Sequence, residues 1–245
     1  MVTQNIQSKN PMLSAWGFFR GRNLCMHKVA VLVDVGFVSQ AFSKLKHEFI
    51  AESVYNFARS FVKEQEEELL RIFFYHGEPL DKNDAVLPVS KKYKDFSKTG
   101  AYRSNIRFLH ELARKDNVAI RKGKTVFRGW ILKQEIIDQL STGTFSRALT
   151  DQDFFPNIQQ KGVDIKIGLD VAWISEHNDI SKIILVTGDS DFVPAMKFAR
   201  REGVQIIVGS CDKHTPRYEN GFMEHTDTWR VSERDSTKHG WNLKA

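Results

Sequence analysis

Cysteine is nearly absent: Cys25 and Cys211 are the two thiols in 245 residues. That excludes a disulfide framework and a four-thiolate zinc site. A pair of thiols in a chain of this size fits a reducing, cytoplasmic compartment. No apolar run approaches the ~18 residues that a membrane span requires, so no membrane partner is expected. Nor is there an internal repeat or a linker rich in Gly or Ser, and six prolines with fifteen glycines are too few for a collagen-like or disordered chain. What is present, 41% apolar and 27% charged residues, suffices for one sizeable domain.

Charge is unevenly placed. Lys82 to Lys133 holds fourteen Lys and Arg against four acids, a local balance of +10 in a chain of net +6, so the remainder sums to −4. Such asymmetry creates a field that attracts polyanions. Tyr93, Phe96, Tyr102, Phe108, Phe127 and Trp130 are interleaved with the cations. Cations that release counterions from phosphates, beside rings on which bases stack, describe a single-strand platform. Its candidate members are Lys91, Lys92, Lys94, Arg103, Arg107, Arg121 and Lys122. The bland alternative is a solvated basic face with ordinary core aromatics, and it is the better reading for most single residues here.

Along the chain, residues 1–27 contain no acid and read as a poorly ordered leader, with Met26 an alternative start to Met1. The run VAVLV (29–33) has the wholly apolar, β-branched character of a central parallel strand and ends in Asp34. A helix is expected from Ala51 to about Glu68, a strand from Leu69 to Tyr75, and a long basic loop from Gly77 to Thr99. Another helix follows around Ile106 to Ala113, with a short strand at Val118 to Ile120 and an added strand at Val126 to Leu132. Ser141 to Gln160 reads as loop. A helix from Val163 to Glu176 precedes KIILVT (182–187), a helix stopped by Gly203, and VQIIV (204–208). Strands separated by helices imply an α/β fold, a three-layer αβα sandwich with a mainly parallel central sheet. One domain spanning 28–228 and a C-terminal tail over 229–245 are expected.

In an open α/β sheet, chemistry collects beyond the carboxyl ends of the strands. Two of the most apolar strands end in acids there: Asp34 after VAVLV, and Asp189 with Asp191 after ILVTG. Asp164 sits near the start of the helix expected from Val163, and Asp170 further along it. Six helical residues span about 240° of rotation, so these two cannot both face one ion unless Asp164 lies in the entry turn. Clustered carboxylates without cations repel one another and call for a counterion. Oxygen ligands without clustered His or Cys favour Mg²⁺ or Mn²⁺ over zinc, and such an ion activates water and neutralises a phosphodiester. For Asp164 or Asp191 taken alone, a helix N-cap is the structural alternative.

These segments resemble an NYN-domain protein of the bacterial LabA-like branch within the PIN-like nuclease superfamily. VAVLVDVGF (29–37), QKGVDIKIGLDVA (160–172), LVTGDSDFVPAMKFARREGVQIIV (185–208) and FMEHTD (222–227) carry the resemblance in the family's order. It implies a PIN-like sandwich and metal-dependent cleavage of RNA, single-stranded RNA above all, with DNA as a further substrate class. Asp34, Asp164, Asp170, Asp189 and Asp191 fall on the family's acidic positions; Asp34, Asp164, Asp189 and Asp191 would ligate metal. Lys161 matches its lysine before the helix. Phe37 departs from the pattern, standing where many NYN domains have Asn. Glu224, His225 and Asp227 match the closing motif, where packing and capping are the expected roles. Two rivals remain at this point. One is a non-catalytic nucleic-acid-binding or scaffold module. The other is a haloacid-dehalogenase-like phosphatase, which wants an acid where Gly36 stands. Target, cleavage mode, pathway and oligomeric state, a homodimer included, are left open.

Overall fold

The structure, a computed structural model, describes residues 26–177, 180–211, 220–235 and 240–244; the leader expected over 1–27 falls outside them as far as residue 25. The elements run β1 (His27–Asp34), α1 (Val35–Lys44), α2 (Ala51–Ser60), β2 (Glu67–Gly77), β3 (Ala85–Val86), β4 (Tyr93–Lys94), α3 (Gly100–Ala113), β5 (Val118–Leu132), α4 (Gln134–Ser141), β6 (Phe154–Lys161), α5 (Val163–His177), β7 (Lys182–Val186), α6 (Val193–Arg201), β8 (Gln205–Cys211), α7 (Asn220–Glu224), β9 (Thr228–Asp235) and β10 (Gly240–Leu243). Eight strands form one sheet in the order β10-β9-β8-β7-β1-β2-β5-β6, and β3 with β4 makes a small separate hairpin. Only the outermost pairs, β10 with β9 and β6 with β5, are antiparallel.

Alternation along the central strands divides the core in two. Val29, Val31 and Val33 of β1 face one side, where Val38 and Phe42 of α1, Val54 and Phe57 of α2, and Leu109 and Leu112 of α3 cover them. Ala30 and Leu32 face the other, against Ile167, Val171 and Ile174 of α5 and Met196 and Ala199 of α6. A strand buried on both faces must be apolar at every position; Val29 to Val33 are at most 1% exposed. The αβα sandwich expected from the sequence is thereby present.

Five expectations change. The Ala51 helix ends at Ser60, and β2 already begins at Glu67, because Glu67 is drawn into a buried ion cluster. The Gly77–Thr99 loop contains the β3–β4 hairpin, tied down by the Trp130 indole N–H donating to the Val86 carbonyl at 2.8 Å. Residues 154–161, expected as loop, are strand β6, and Val118–Leu132 is one long strand that pairs with β2 through Gly77↔Gly123 and then with β6. The expected tail from 229 is no tail: β9 and β10 extend the sheet, and the Trp241 ring stacks on Phe42 at 5.1 Å. Here an isolated aromatic anchors a segment too polar to declare itself by periodicity.

At the end of the sheet opposite Asp34, the carboxylate of Glu67 is wholly enclosed. It accepts hydrogen bonds from Arg230 (2.5 and 2.8 Å) and Lys182 (2.8 Å), so β2, β7 and β9 are bolted through one anion. Burial alone would raise its pKa, but the two cations outweigh this and hold it at about 2. A depressed carboxylate stabilises fully above its unfolded value and loses that contribution as pH falls through the folded one. Glu67→Gln strands two buried cations, and it should cost about 3 kcal/mol at neutral pH. Chemical denaturation should also show the variant losing the part of the wild-type stability decline that falls between pH 4.5 and pH 2. Equal pH slopes in the two proteins would refute this account.

Candidate active site

The chain leaves β1 toward β2 and β5 on one side, while β7, β8 and β9 lie on the other. The crevice at the strand carboxyl ends between β1 and β7 is therefore the topological switch point, where ligands bind in open α/β sheets. Register puts Val33 opposite Val186, so β1 ends in Asp34 where β7 leads into Thr187, Gly188 and Asp189.

Asp34 is half-buried and caps α1: its Oδ1 accepts from the backbone N–H groups of Gly36 (2.9 Å) and Phe37 (3.2 Å). A side chain at position 36 would start only 3.2 Å from that oxygen, which explains the glycine. Asp189 repeats the device one strand away, capping a short turn by accepting from the Asp191 N–H at 2.9 Å. Asp164 occupies the first turn of α5. The capping residues are therefore Asp34 and Asp189, not the Asp164 or Asp191 expected, and capping orients their carboxylates without neutralising them.

Electrostatics show which acids meet. Burial raises the pKa of Asp34 against two capping N–H groups that lower it, and the charges of Asp164 and Asp189 raise it further. Asp164 is raised by burial and then by Asp189 and Asp191. None of the four forms an ion pair with Lys, Arg or His among the described residues. Oxygen donors with excess negative charge and no cation fit a hard divalent ion by chemistry. By spacing the fit is incomplete, since among the described residues no three His, Cys, Asp or Glu side chains are close enough to enclose one.

Asp170 stands apart from this group. One turn and more along α5, its Oδ2 accepts from the Tyr75 hydroxyl at 2.7 Å and from Arg121 Nε at 2.8 Å. Asp34, Tyr75 and Arg121 lie in register across three adjacent strands, so Asp170 aligns a buried phenol and a guanidinium beside the carboxylates. The guanidinium also lies 5.1 Å from the Phe73 ring centroid, and the Arg121 side chain remains 41% exposed. Burial, and after it Asp170, push the Tyr75 hydroxyl far up, so it stays protonated and donates its hydrogen bond to Asp170. The 240° argument from the sequence separates Asp170 from Asp164; nothing in the sequence pointed to Tyr75 as its partner.

The expected basic residues are dispersed. Lys91 turns back to the Pro88 carbonyl (2.7 Å), and Lys94 lies 5.4 Å over both Phe96 and Trp130. Lys92 and Lys122 are exposed, as are Arg103 and Arg107 on α3. Lys161 ends β6 directly opposite Lys124, a residue the sequence reading passed over. Phe96 and Phe108 are buried, and Phe127 and Trp130 pack on Phe96, so four of the six interleaved aromatics are core or local packing. Tyr93 is 75% exposed.

Phe37 packs its ring against the first core and offers the site only its backbone N–H. In the closing motif, Arg200 binds the Asp227 carboxylate at 2.9 Å, while Asp227 also accepts from the Ile206 N–H at 2.8 Å. Of the packing and helix capping expected of this segment, these contacts are packing, tying α6 to β8.

Comparison with known proteins places the chain in a family. Over 89 residues, 36% of the chain, the protein is 28% identical to the uncharacterized protein MJ0482 of Methanocaldococcus jannaschii; the match spans about 37% of that relative's length. No solved structure matches. The NYN domain profile matches residues 28–220, which is most of the chain and contains the whole carboxylate crest. The protein therefore belongs to the NYN domain family, within the PIN-like nuclease superfamily.

Proposed function

We propose that the protein is a ribonuclease that hydrolyses RNA phosphodiesters with the help of Mg²⁺ or Mn²⁺. The observation that carries this reading is the meeting of Asp34, Asp164, Asp189 and Asp191 without a counter-cation, in a fold whose family is one of nucleases. Asp34, Asp164 and Asp189 would hold the ion, with Asp191 beside them. Bound there, a divalent cation neutralises charge on the phosphate and makes water more acidic.

The chain's own groups supply the rest. Capping N–H groups keep Asp34 and Asp189 aimed into the crevice, so little reorganisation is needed when substrate arrives. Arg121, fixed through Nε by Asp170, presents its remaining N–H groups to a phosphate oxygen and stabilises the charge that builds there during in-line attack. Asp170 is thus a positioning residue for Arg121 in this reading. The basic rim draws the polyanion in. A second reading, a binding module without catalysis, draws on the apolar Phe37 and on the incomplete ligand spacing.

Asp34→Asn keeps an oxygen for the α1 cap and removes one repelling charge. In chelator, the variant should therefore melt at or above the wild-type temperature. It should lose RNA cleavage, and Mn²⁺ should raise the melting temperature of the wild type only. Unchanged cleavage by Asp34→Asn, or Mn²⁺ stabilisation indifferent to it, would leave the binding-module reading in possession. Arg121→Gln should lower kcat about 100-fold, the usual scale for one transition-state donor. Asp170→Asn should lower it less, with KM changed little. Retention of full kcat by Arg121→Gln would remove that residue from the mechanism.

A further inference from the structure

Strand β5 outruns its partner β2: from Lys124 to Leu132 it pairs with β6 alone, and β6 is the edge of the sheet. The two form an arm rising from the rim that carries the carboxylates. Its two faces differ. Phe127 and Trp130 lie on one face, where the Phe96 ring and the β3–β4 hairpin pack against them, while Ile158 on the same face is 43% exposed. Alternation along β6 puts Phe155, Asn157, Gln159 and Lys161 on the other. Across from that row stand Ile131, opposite Phe155, and Lys124, opposite Lys161.

This second face has no cover of its own. Phe155 is 43% exposed and Ile131 39%, and Lys124, Gln159 and Lys161 are exposed. Neither strand contains a single Asp or Glu. Lys124 and Lys161 have no ion-pair partner among the described residues, and like charges directly opposed on paired strands are destabilising. An aromatic ring left in water and two facing cations cost the free protein stability, and a strand bearing both bases and phosphates relieves both at once. Beyond Lys161, Gly162 turns the chain at a φ of +74° into α5 and Asp164, so the row leads to the carboxylates.

We propose that this face is a track for single-stranded nucleic acid. Phe155 stacks on a base, Asn157 and Gln159 offer amides to base edges, and Lys161 with Lys124 holds the backbone phosphate nearest the crest. Six residues separate Phe155 from Lys161, about 20 Å of strand, so a run of several nucleotides is held. The assignment rests on the nuclease reading for its direction, and it moves base stacking from the interleaved aromatics near Lys94 to a ring on β6.

The test is fluorescence anisotropy with a labelled single-stranded RNA oligonucleotide across a salt series. Every protein carries Asp34→Asn so that the strand is not cut, and an equivalent DNA strand and an RNA duplex serve as further probes. Phe155→Ala should weaken single-strand binding about tenfold, with the salt slope unchanged and Phe155→Trp restoring affinity. Lys124→Gln with Lys161→Gln should flatten the slope by about 0.7 to 1.4, and its melting temperature should not fall. Binding of the variants equal to that of their parent, no single-strand binding at all, or tighter binding of the duplex would each overturn the track. Cleavage by the chain with Asp34 intact is measured separately: if it cuts while the variants bind normally, the track fails and the nuclease reading stands. If the variants behave as expected but nothing is cut with either metal, the track stands and the nuclease reading fails.

Discussion

Parallel pairing of β1 with β7 governs where reactive groups lie. The two strands are distant in sequence, yet Val33 and Val186 are neighbours in the ladder, and each strand runs out within a few residues of an aspartate. Both faces of β1 and β7 are sealed by helices, so register cannot slip without exposing apolar side chains or burying polar ones. The hydrophobic core therefore fixes the separation of Asp34 and Asp189, although neither belongs to it. Capping then completes what pairing begins, because each carboxylate accepts N–H groups from the turn that follows it.

Such a crest works against folding. The charges of neighbouring acids raise the pKa of Asp34 and of Asp164, the mark of a repulsive cluster, and a buried ion cluster lies at the opposite end of the sheet. Glu67 there gathers Arg230 and Lys182 from β9 and β7. The sheet is thus held by paired opposite charges at one end and carries unpaired carboxylates at the other.

Much of this was legible in the sequence because the central strands are apolar at every position. VAVLV and KIILV announce themselves, and with them the acids that follow; Gly203, at a φ of +82°, marks the end of α6 as expected. The peripheral strands gave no such signal. FFPNIQQK, with one face against the β3–β4 hairpin and one face to water, has too few apolar residues to show a period, and β9 to β10 hides its anchor in the single ring of Trp241. Partnerships between side chains were equally hidden. That Asp170 should serve Arg121 and Tyr75, whereas Asp164 faces Asp189, depends on which residues share a rung of the sheet, and no spacing within one segment encodes that.

Gly77 and Gly123 face each other where the arm departs from the sheet. A methyl group on Gly123 would come within 2.5 Å of Val163 Cγ2 and 2.9 Å of the Lys161 carbonyl. Those residues flank the turn into α5, one position before Asp164. The bare backbone at 123 is consequently a spacer that sets how closely helix and arm approach, and through them the angle at which one carboxylate enters the crevice. Inherited changes at this position would disturb the crevice from outside it, leaving every acidic residue intact.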